Sequence, residues 1–302
     1  MRRILVLVLI AACLVLPGSP AAAADVTIDL CASAGELRLP GQVSTAIWGF
    51  SQAGPGGSCT GAVPSLPGPV LSVRTGDDVF LVVHNGLPVP VSLEVPGMTL
   101  DQGGDVTAAA GGSTTATFTA AAPGTYLYQG GERQLPMGLY GALVVRPATE
   151  GRAYASAATA YDKEAILVLS AIDPVFNAAP TTTDPHRYAP KYWLVNGRAY
   201  PETAPVHGGP PGTRVLLRYL NAGFDNTSMR LLGAYERVIA RDAHPLGNPF
   251  EATAETVPAG GTEDAVVIVP SSGTRLALYN RQLHLTNGAV SPGGMMTFIE
   301  AP

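Results

Sequence analysis

The side chains best suited to bind a transition metal or to move protons are few in this sequence and lie far apart. The chain of 302 residues contains five histidines, and no two of them lie within three residues of each other. Blue-copper centres, as one example, group a cysteine thiolate with two imidazoles. Because neither a His-x-His pair nor a His-Cys-His run occurs, neighbouring residues cannot build such a centre. The histidines are His84, His186, His207, His244 and His284.

One histidine has thioether side chains downstream of it. His284 is followed by Met295 and Met296 at a distance that a hairpin could close, and imidazole with thioether suits Cu(I). The alternative is that the methionines fill a core between strands while His284 faces water or a backbone carbonyl. We expect the second arrangement and keep the first as a fallback metal site.

The common catalytic motifs are absent. The sequence has no Gly-x-Ser-x-Gly, no His-Glu-x-x-His, no Cys-x-x-Cys and no glycine-rich phosphate loop. His84 precedes Asn85 at the end of a predicted strand, and we expect it to be solvated there. A group of acidic residues could hold a hard cation, but loop acids of an acidic protein usually face solvent, as we expect for these. They are Glu94, Asp101, Asp105 and Glu132.

The first 24 residues have the layout of a secretory signal. Arg2 and Arg3 precede an apolar run over residues 4–16, and small residues follow up to Ala24. We predict cleavage near Ala24, which gives a secreted, periplasmic or cell-envelope protein with no transmembrane segment. The paired arginines leave twin-arginine export open beside the general secretory route.

The charge of the mature chain argues against two classes of partner. Without residues 1–24 the chain keeps 16 basic and all 23 acidic residues, which gives a formal charge of −7. A surface of that sign repels nucleic acid and anionic lipid. An unknown envelope protein or a small ligand remains as the partner.

Two cysteines remain after the predicted cleavage, Cys31 and Cys59. In an oxidising compartment we predict that they form a structural disulfide, with a stabilisation of about 3–4 kcal/mol from the chain-entropy relation. A reactive or metal-binding pair is the alternative, and the absence of a nearby histidine argues against it.

Short strands dominate the rest of the chain. Runs rich in Val, Leu and Thr are separated by Gly, Pro, Asn and Asp, and several alternate apolar and polar residues, which is typical of sheets with one buried face. We therefore predict an all-β protein with two packed antiparallel sheets per domain in a Greek-key sandwich. The predicted strands include residues 70–83, 113–118, 141–145, 166–169, 215–219 and 265–269.

An internal repeat divides the mature chain into two related units. Segment 76–85 recurs as 212–221 at an offset of 136, and segment 124–127 recurs as 273–276 at an offset of 149. Two units of this size account for almost the whole mature chain. The predicted divisions are a first domain at 25–147, a linker at 148–162 and a second domain at 163–302.

A proline-rich stretch from Asp173 to Pro190 interrupts the second unit. It contains four prolines and no strand pattern, so we predict a long surface loop. Long loops on rigid sandwiches commonly carry recognition, which makes this loop the first candidate for a partner contact. A tolerated insertion is the alternative.

The segment from Tyr126 to Val145 resembles a copper motif of the multicopper oxidase superfamily. The family pattern is Gly-Thr-aromatic-x-Tyr-His-Ser-His, a spacer, and Gly-Leu-Tyr-Gly-Ala-Leu. The residues that match here are Gly124, Thr125, Tyr128 and 138–143, while Gln129 and Gly131 take the places of two histidines. A second segment, 91–98, resembles Thr-Ser-Ile-His-x-His-Gly-Leu, with Glu94 and Pro96 at its histidine positions.

The second half of the chain resembles the second domain of the same family. Residues 194–198, 218–223 and 238–242 are similar to its Ile-Asn-Gly, Arg-x-x-Asn-Ala and Val-Ile-Ala-x-Asp-Gly segments. The resemblance implies two cupredoxin-like Greek-key β-sandwich domains in tandem. It does not extend to the copper ligands, where the chemistry of the family takes place.

The loss of four ligand positions sets the functional expectation. We expect no copper, no other cofactor and no catalytic residue, and a non-catalytic binding or scaffolding role in the cell envelope. The alternative is a divergent copper-binding protein or copper-dependent oxidoreductase of the family. Its metal would be held by His284, Met295 and Met296 or shared between subunits.

Overall fold

The computed structural model describes residues 23–301, and the predicted signal peptide lies outside them except for Ala23 and Ala24. The first half of the described chain forms nine strands: β1 (Asp25–Leu39), β2 (Val43–Gln52), β3 (Leu71–Arg74), β4 (Asp78–Asn85), β5 (Val91–Leu93), β6 (Val106–Ala108), β7 (Ser113–Thr119), β8 (Gly124–Gln129) and β9 (Tyr140–Arg146).

Eleven strands and one short helix follow. They are β10 (Lys163–Ile172), α1 (Pro174–Ala178), β11 (Tyr192–Val195), β12 (Val206–His207), β13 (Arg214–Asn221), β14 (Thr227–Leu231), β15 (Glu236–Arg241), β16 (His244–Ala252), β17 (Ala254–Val257), β18 (Thr262–Ile268), β19 (Arg275–Asn280) and β20 (Met296–Glu300). The all-β prediction is confirmed. No helix among the described residues is long and apolar enough to cross a membrane.

Strands β1 to β9 form three sheets around one core. Their orders are β2-β1-β4-β7, β3-β9-β8 and β5-β6. The core between them includes Leu30, Phe50, Leu81 and Phe118, all nearly inaccessible to solvent. Not all pairs are antiparallel, because β1 runs parallel to β4 and β3 runs parallel to β9. The prediction of purely antiparallel sheets is therefore wrong, since strands distant in sequence can pair in parallel when a long crossover joins them.

The second set of strands builds a sandwich of the same design. One sheet has the order β11-β10-β13-β18-β15-β16 and the other β12-β20-β19-β14-β17. Leu217, Tyr219, Leu231 and Leu278 lie in the core between them. Here β10 runs parallel to β13 as β1 does to β4.

The sequence repeat coincides with structural equivalence. Strand β4 shifted by 136 residues gives the bounds of β13, and β7 shifted by 149 gives the bounds of β18. Asn85 donates to the carbonyls of Val89 and Ala108. Its counterpart Asn221 donates in the same way to the carbonyls of Asp225 and Val257. In each domain this asparagine therefore fixes the loop that follows its strand, β4 or β13. It does so by donating to backbone carbonyls that have no partner within a sheet.

The segment between β9 and β10 packs against the second sandwich. Ala153 and Tyr154 are buried against Leu216, Ile239 and other apolar residues of that domain. The hydroxyl of Thr159 donates to the carbonyl of Ser156 and closes a short 3-10 turn. The predicted linker therefore contributes a buried tyrosine to the second domain.

The proline-rich stretch 173–190 lies mostly at the surface, as predicted, and is also anchored to the first domain. Phe176 and Asn177 of α1 are buried, and the amide of Asn177 donates to the carbonyl of Ala46 at 2.8 Å. The guanidinium of Arg133 donates to the carbonyls of Pro180 and Thr183. These contacts join the two halves of the chain. Only part of the segment is therefore exposed and available for contact with another molecule.

Apolar contacts also join the domains. A buried cluster contains Leu127, Leu135, Tyr140 and Ala142 from the first half together with Val168, Leu220 and Ala222 from the second. An interface with its own buried apolar cluster holds two domains in one arrangement, whereas polar interfaces permit relative motion.

The predicted disulfide is present between Cys31 on β1 and Cys59, with Cα atoms 5.7 Å apart and 28 residues of separation. Replacing both cysteines by alanine is expected to lower the free energy of unfolding by about 3–4 kcal/mol, since the unfolded chain then regains the freedom of that loop. Urea denaturation of the double variant and of the parent measures this difference. Two titratable thiols in denatured, unreduced parent protein would contradict the disulfide itself.

Candidate functional site

Glu94 and Gln129 lie at two of the positions where the resembled motif has histidine, and they bind each other. Their backbones exchange two hydrogen bonds of 2.9 Å, in an isolated bridge between the segment after β5 and the end of β8. The side-chain amide of Gln129 also donates to Glu94 Oε1 at 2.6 Å. Where the motif has two imidazoles, this chain therefore has a carboxylate and an amide that are hydrogen-bonded to each other.

The third position, Gly131, lies where the chain approaches β5 closely. A β-carbon added at Gly131 would lie 2.7 Å from Ser92 Oγ. Gln134 fixes this approach, because its Oε1 accepts from the backbone amides of Gly131 and Ser92, both at 3.1 Å. A larger side chain at this position requires the loop or Ser92 to move.

The fourth position, Pro96, is exposed. It lines a shallow hollow of about 380 Å³ together with Glu94, Met98 and Asp105. This region is therefore tightly bonded around Gln129 and Gly131 but open beside Pro96.

The donor set at these positions does not fit a copper ion. Copper sites of proteins select imidazole, thiolate and thioether ligands, and the four positions offer one carboxylate, one amide, a proline and a glycine. Among residues 23–301, no group of three or more His, Cys, Asp or Glu side chains is arranged to hold a metal. Glu94, Asp101, Asp105 and Glu132 therefore form no such cation site.

The fallback residues are only partly brought together. His284 and Met295 line the same cavity in the second domain. Met296 begins β20, and because successive side chains of a strand point to opposite faces, it is not expected to join Met295. The imidazole of His284 stacks on Trp193 with ring centres 3.9 Å apart and planes 10° from parallel.

His84 lies one residue before the end of β4, close to the strand end that the sequence predicts. It is half-buried, and its Nε2 lies 2.7 Å from Asp29 Oδ1 on the neighbouring strand β1. The histidine is therefore paired to a carboxylate as well as solvated.

A buried ionic network crosses the domain interface at Thr125, a residue of the copper-like motif. Arg218 on β13 is fully buried, and its Nη1 donates to Thr125 Oγ1 at 2.8 Å and to Asp264 Oδ2 at 2.9 Å. Thr125 in turn donates to Asp264 Oδ1 at 2.7 Å, and Tyr154 donates to Asp264 Oδ2 at 2.7 Å. The network joins β8 of the first domain to β13 and β18 of the second.

The same arginine continues the network toward the surface. Its Nε donates to Glu164 Oε1 at 2.6 Å, and Arg146 binds both oxygens of Glu164 at 2.6 Å. Burial lowers the pKa of Arg218, but Asp264 and Glu164 outweigh that effect and raise it above its ordinary value. Burial raises the pKa of Glu164, but the two guanidinium groups outweigh it and lower that pKa overall.

Sequence reasoning found Thr125 and Arg218 only as markers of a fold. Thr125 is 93 residues from Arg218 and 139 from Asp264, so no local pattern joins the three. The available signal was an arginine inside an apolar run, Arg218 between Leu217 and Tyr219, since arginine is almost never fully buried unless it is paired.

Comparison with known proteins agrees with this architecture. A family model described as multicopper oxidase matches residues 52–150. The blue copper oxidase from Nitrosomonas europaea superposes with a TM-score of 0.79 at 23% identity, over 91% of this chain and 85% of that chain. The multicopper oxidase mgLAC superposes with a TM-score of 0.78 at 24% identity, over 92% of this chain and 86% of that chain.

One curated relative is similar over a shorter segment. It is the probable nitrite reductase-hydroxylamine oxidoreductase fusion protein of Kuenenia stuttgartiensis, 38% identical over 103 residues. The match covers 29% of this chain and 12% of the fusion protein. These likenesses show the tandem cupredoxin-like fold and a match of residues 52–150 to the multicopper oxidase model, while the residues at the four positions differ in chemistry from a copper site.

Proposed function

We propose that this chain, which has the two-domain cupredoxin-like fold of the multicopper oxidase superfamily and matches its family model over residues 52–150, is a non-catalytic binding or scaffolding module of the cell envelope. The observation that carries the proposal is the mutual binding of Glu94 and Gln129 at former ligand positions. Each of these two side chains is held by the other through this bond, so neither is presented as a free ligand, while Gln129 Oε1 is buried without a hydrogen-bond partner among the described residues.

Two further observations support this role. The close approach at Gly131 and the bonds of Gln134 hold the loop after β8 without a metal. The apolar cluster and the Arg218 network supply a rigid interface between the domains. A rigid frame of this kind is what a binding module requires, since loops on a fixed scaffold keep their recognition geometry.

Export is part of the same proposal. The apolar segment at 4–16 and the paired arginines before it predict a signal peptide. The Cys31–Cys59 disulfide is consistent with an oxidising compartment.

The copper content tests the proposal directly. Mature protein loaded with excess copper and then dialysed is expected to hold less than about 0.1 copper per chain and to be colourless near 600 nm, because the donor set lacks the thiolate and imidazoles of a blue site. Elemental analysis and the visible spectrum measure both. One or more retained copper atoms per chain, or oxygen consumption with a phenolic substrate, would overturn the non-catalytic role.

The second candidate is a divergent copper protein, and one observation favours it: His284 and Met295 line the same cavity. If the parent retains copper, the His284→Ala variant locates the metal. Loss of copper in that variant assigns the metal to this cavity. Retention in the variant places the metal elsewhere in the chain.

A further inference from the structure

The disulfide between Cys31 and Cys59 lies on the outer face of a first-domain sheet, next to a histidine and a carboxylate. Strand β1 runs parallel to β4, and their register places Cys31 opposite His84. Because alternate residues of a strand share a face, Asp29 lies on the same face as Cys31, whereas Leu30 points into the core. Neither cysteine is near a histidine in the sequence, so only the pairing of β1 with β4 brings these groups together.

The imidazole of His84 is oriented by its neighbours. Its Nε2 lies 2.7 Å from Asp29 Oδ1, and a β-carbon added at Gly57 would lie 2.9 Å from the same nitrogen. The loop that carries Cys59 therefore covers one edge of the ring. The carboxylate keeps a proton on Nε2, so Nδ1, which has no hydrogen-bond partner in the described part of the chain, is the nitrogen free to bind a metal.

The two sulfurs offer no thiolate while they are bonded to each other, and no three-ligand metal group is present among residues 23–301. Reduction changes the donor set. A dithiol reductant transfers two electrons and two protons to the S–S bond, which breaks into two thiols, and the reductant itself becomes a disulfide. Cys59 is half-buried whereas Cys31 is 1% exposed, so the reductant attacks the sulfur of Cys59.

The loop of Cys59 can move by the small distance that a metal requires. Thiolates bind zinc at about 2.3 Å, so two thiolates on one ion lie further apart than two bonded sulfurs. Residues 54–58 are mostly exposed, and Gly56 and Gly57 have positive φ. The backbone hydrogen bonds donated by Gly54 and Gly57 stay within this loop. Few bonds therefore resist a shift of Cys59 once the disulfide is broken.

We propose that reduction of the Cys31–Cys59 disulfide creates a binding site for one thiophilic closed-shell metal ion, with Zn²⁺ as the probe. The ion takes the two thiolates and His84 Nδ1 as ligands, with water in the fourth position, and it displaces one proton from each thiol. Asp29 is a positioning residue, because it holds the imidazole through Nε2.

Oxidation reverses this sequence. A disulfide oxidant accepts two electrons from the thiolates of Cys31 and Cys59, their S–S bond forms again and the ion is released. Redox-dependent metal binding goes beyond the proposed scaffolding role. Copper content is measured on unreduced protein, so a failure of the scaffolding proposal and a failure of this site are separate results.

Zinc affinity is measured by competition with a chromophoric chelator. The samples are mature protein that has been reduced with a dithiol and desalted without oxygen, and the same protein left oxidised. We expect the reduced protein to bind one zinc ion per chain at least about a hundredfold more tightly, because thiolates are available only after reduction. Zinc is also expected to raise the unfolding temperature of the reduced protein but not of the oxidised protein, since an ion that binds the native state stabilises it.

Three variants assign the contacts in the reduced state. His84→Ala is expected to weaken zinc binding at least about a hundredfold, and Asp29→Asn about tenfold, the effect of a group that orients a metal-bound imidazole. His207→Ala, at an exposed histidine of the second domain, leaves the affinity unchanged. A purely structural role of Asp29 would lower the unfolding temperature of Asp29→Asn without changing its zinc affinity.

Several outcomes contradict the inference. It fails if reduction does not raise the zinc affinity, or if reduced His84→Ala binds zinc as tightly as the reduced parent. Near-ultraviolet circular dichroism shows whether the zinc-bound reduced protein keeps its native packing. An unfolded spectrum would overturn the site, because the ligands come from segments that only the fold brings together.

Discussion

Replacing Asp264 by alanine is expected to lower the free energy of unfolding by about 3–5 kcal/mol, the range for a buried ion pair that loses one partner. Asp264 is 1% exposed and accepts hydrogen bonds from Arg218, Thr125 and Tyr154. Without it the fully buried guanidinium keeps only Glu164 as a charged partner, and two hydroxyl donors lose their acceptor.

Urea denaturation of the variant and the parent measures this effect. Glu150→Ala is the matched control, because Glu150 also binds an arginine, Arg74, at 3.4 Å but is 85% exposed, and exposed pairs contribute little. Asp264→Asn keeps much of the shape and removes the charge, so an intermediate loss is expected. The interpretation is wrong if Asp264→Ala loses no more stability than Glu150→Ala.

Stability is also expected to fall as the pH rises from about 5 to 8, because of two buried carboxyl groups. Burial raises the pKa of Glu236 to about 7, although the Tyr219 hydroxyl bonded to it acts in the opposite direction. Burial likewise raises the pKa of Glu263 to about 8, against the lowering effect of Arg241. Glu255, on β17, bonds the same Arg241 and raises both values further.

The direction follows from proton linkage. Between the unfolded pKa of 4.5 and these folded values, the native state binds more protons than the unfolded state, so the free energy of unfolding decreases with pH. The full contribution is present below the unfolded pKa and is lost as pH passes through the folded values. At about 1.4 kcal/mol per pKa unit, Glu236 alone accounts for a loss on the order of 3 kcal/mol.

The variant Glu236→Gln isolates this contribution. Its amide oxygen can still accept from the Tyr219 hydroxyl, and it has no charge to desolvate, so the variant is expected to be more stable than the parent at pH 8 and nearly equal to it at pH 5. Thermal unfolding across this range measures the slope. His284 affects the free energy of unfolding in the opposite direction, since its lowered pKa favours the native state as pH rises. Both proteins contain His284, so its contribution cancels when the slope of the variant is subtracted from that of the parent. Equal slopes in both proteins would refute the role of Glu236.

The strands that the sequence predicts are those whose pattern is local. The repeat identifies β4 with β13 and β7 with β18, because both copies keep the same spacing of Gly, Val, Leu and Asn. The predicted strand at 70–83 is two strands, since Gly76 adopts a φ of +98° and Asp77 accepts from the Arg74 amide to make a turn. Strand β16 gives little signal, because Pro245 and Pro249 interrupt it, and prolines are tolerated there because β16 is an edge strand.

What the sequence by itself determined is the composition of the site: four positions without imidazole, two cysteines able to pair, and two related units of strands. Only the tertiary structure decided what those positions do. Glu94 and Gln129 are 35 residues apart, and Trp193 meets His284 across 91 positions of sequence. Local periodicity records which face of a strand is buried, but contacts between distant strands depend on how two sheets pack. That packing joined Glu94 to Gln129 in one domain and stacked His284 on Trp193 at a cavity in the other.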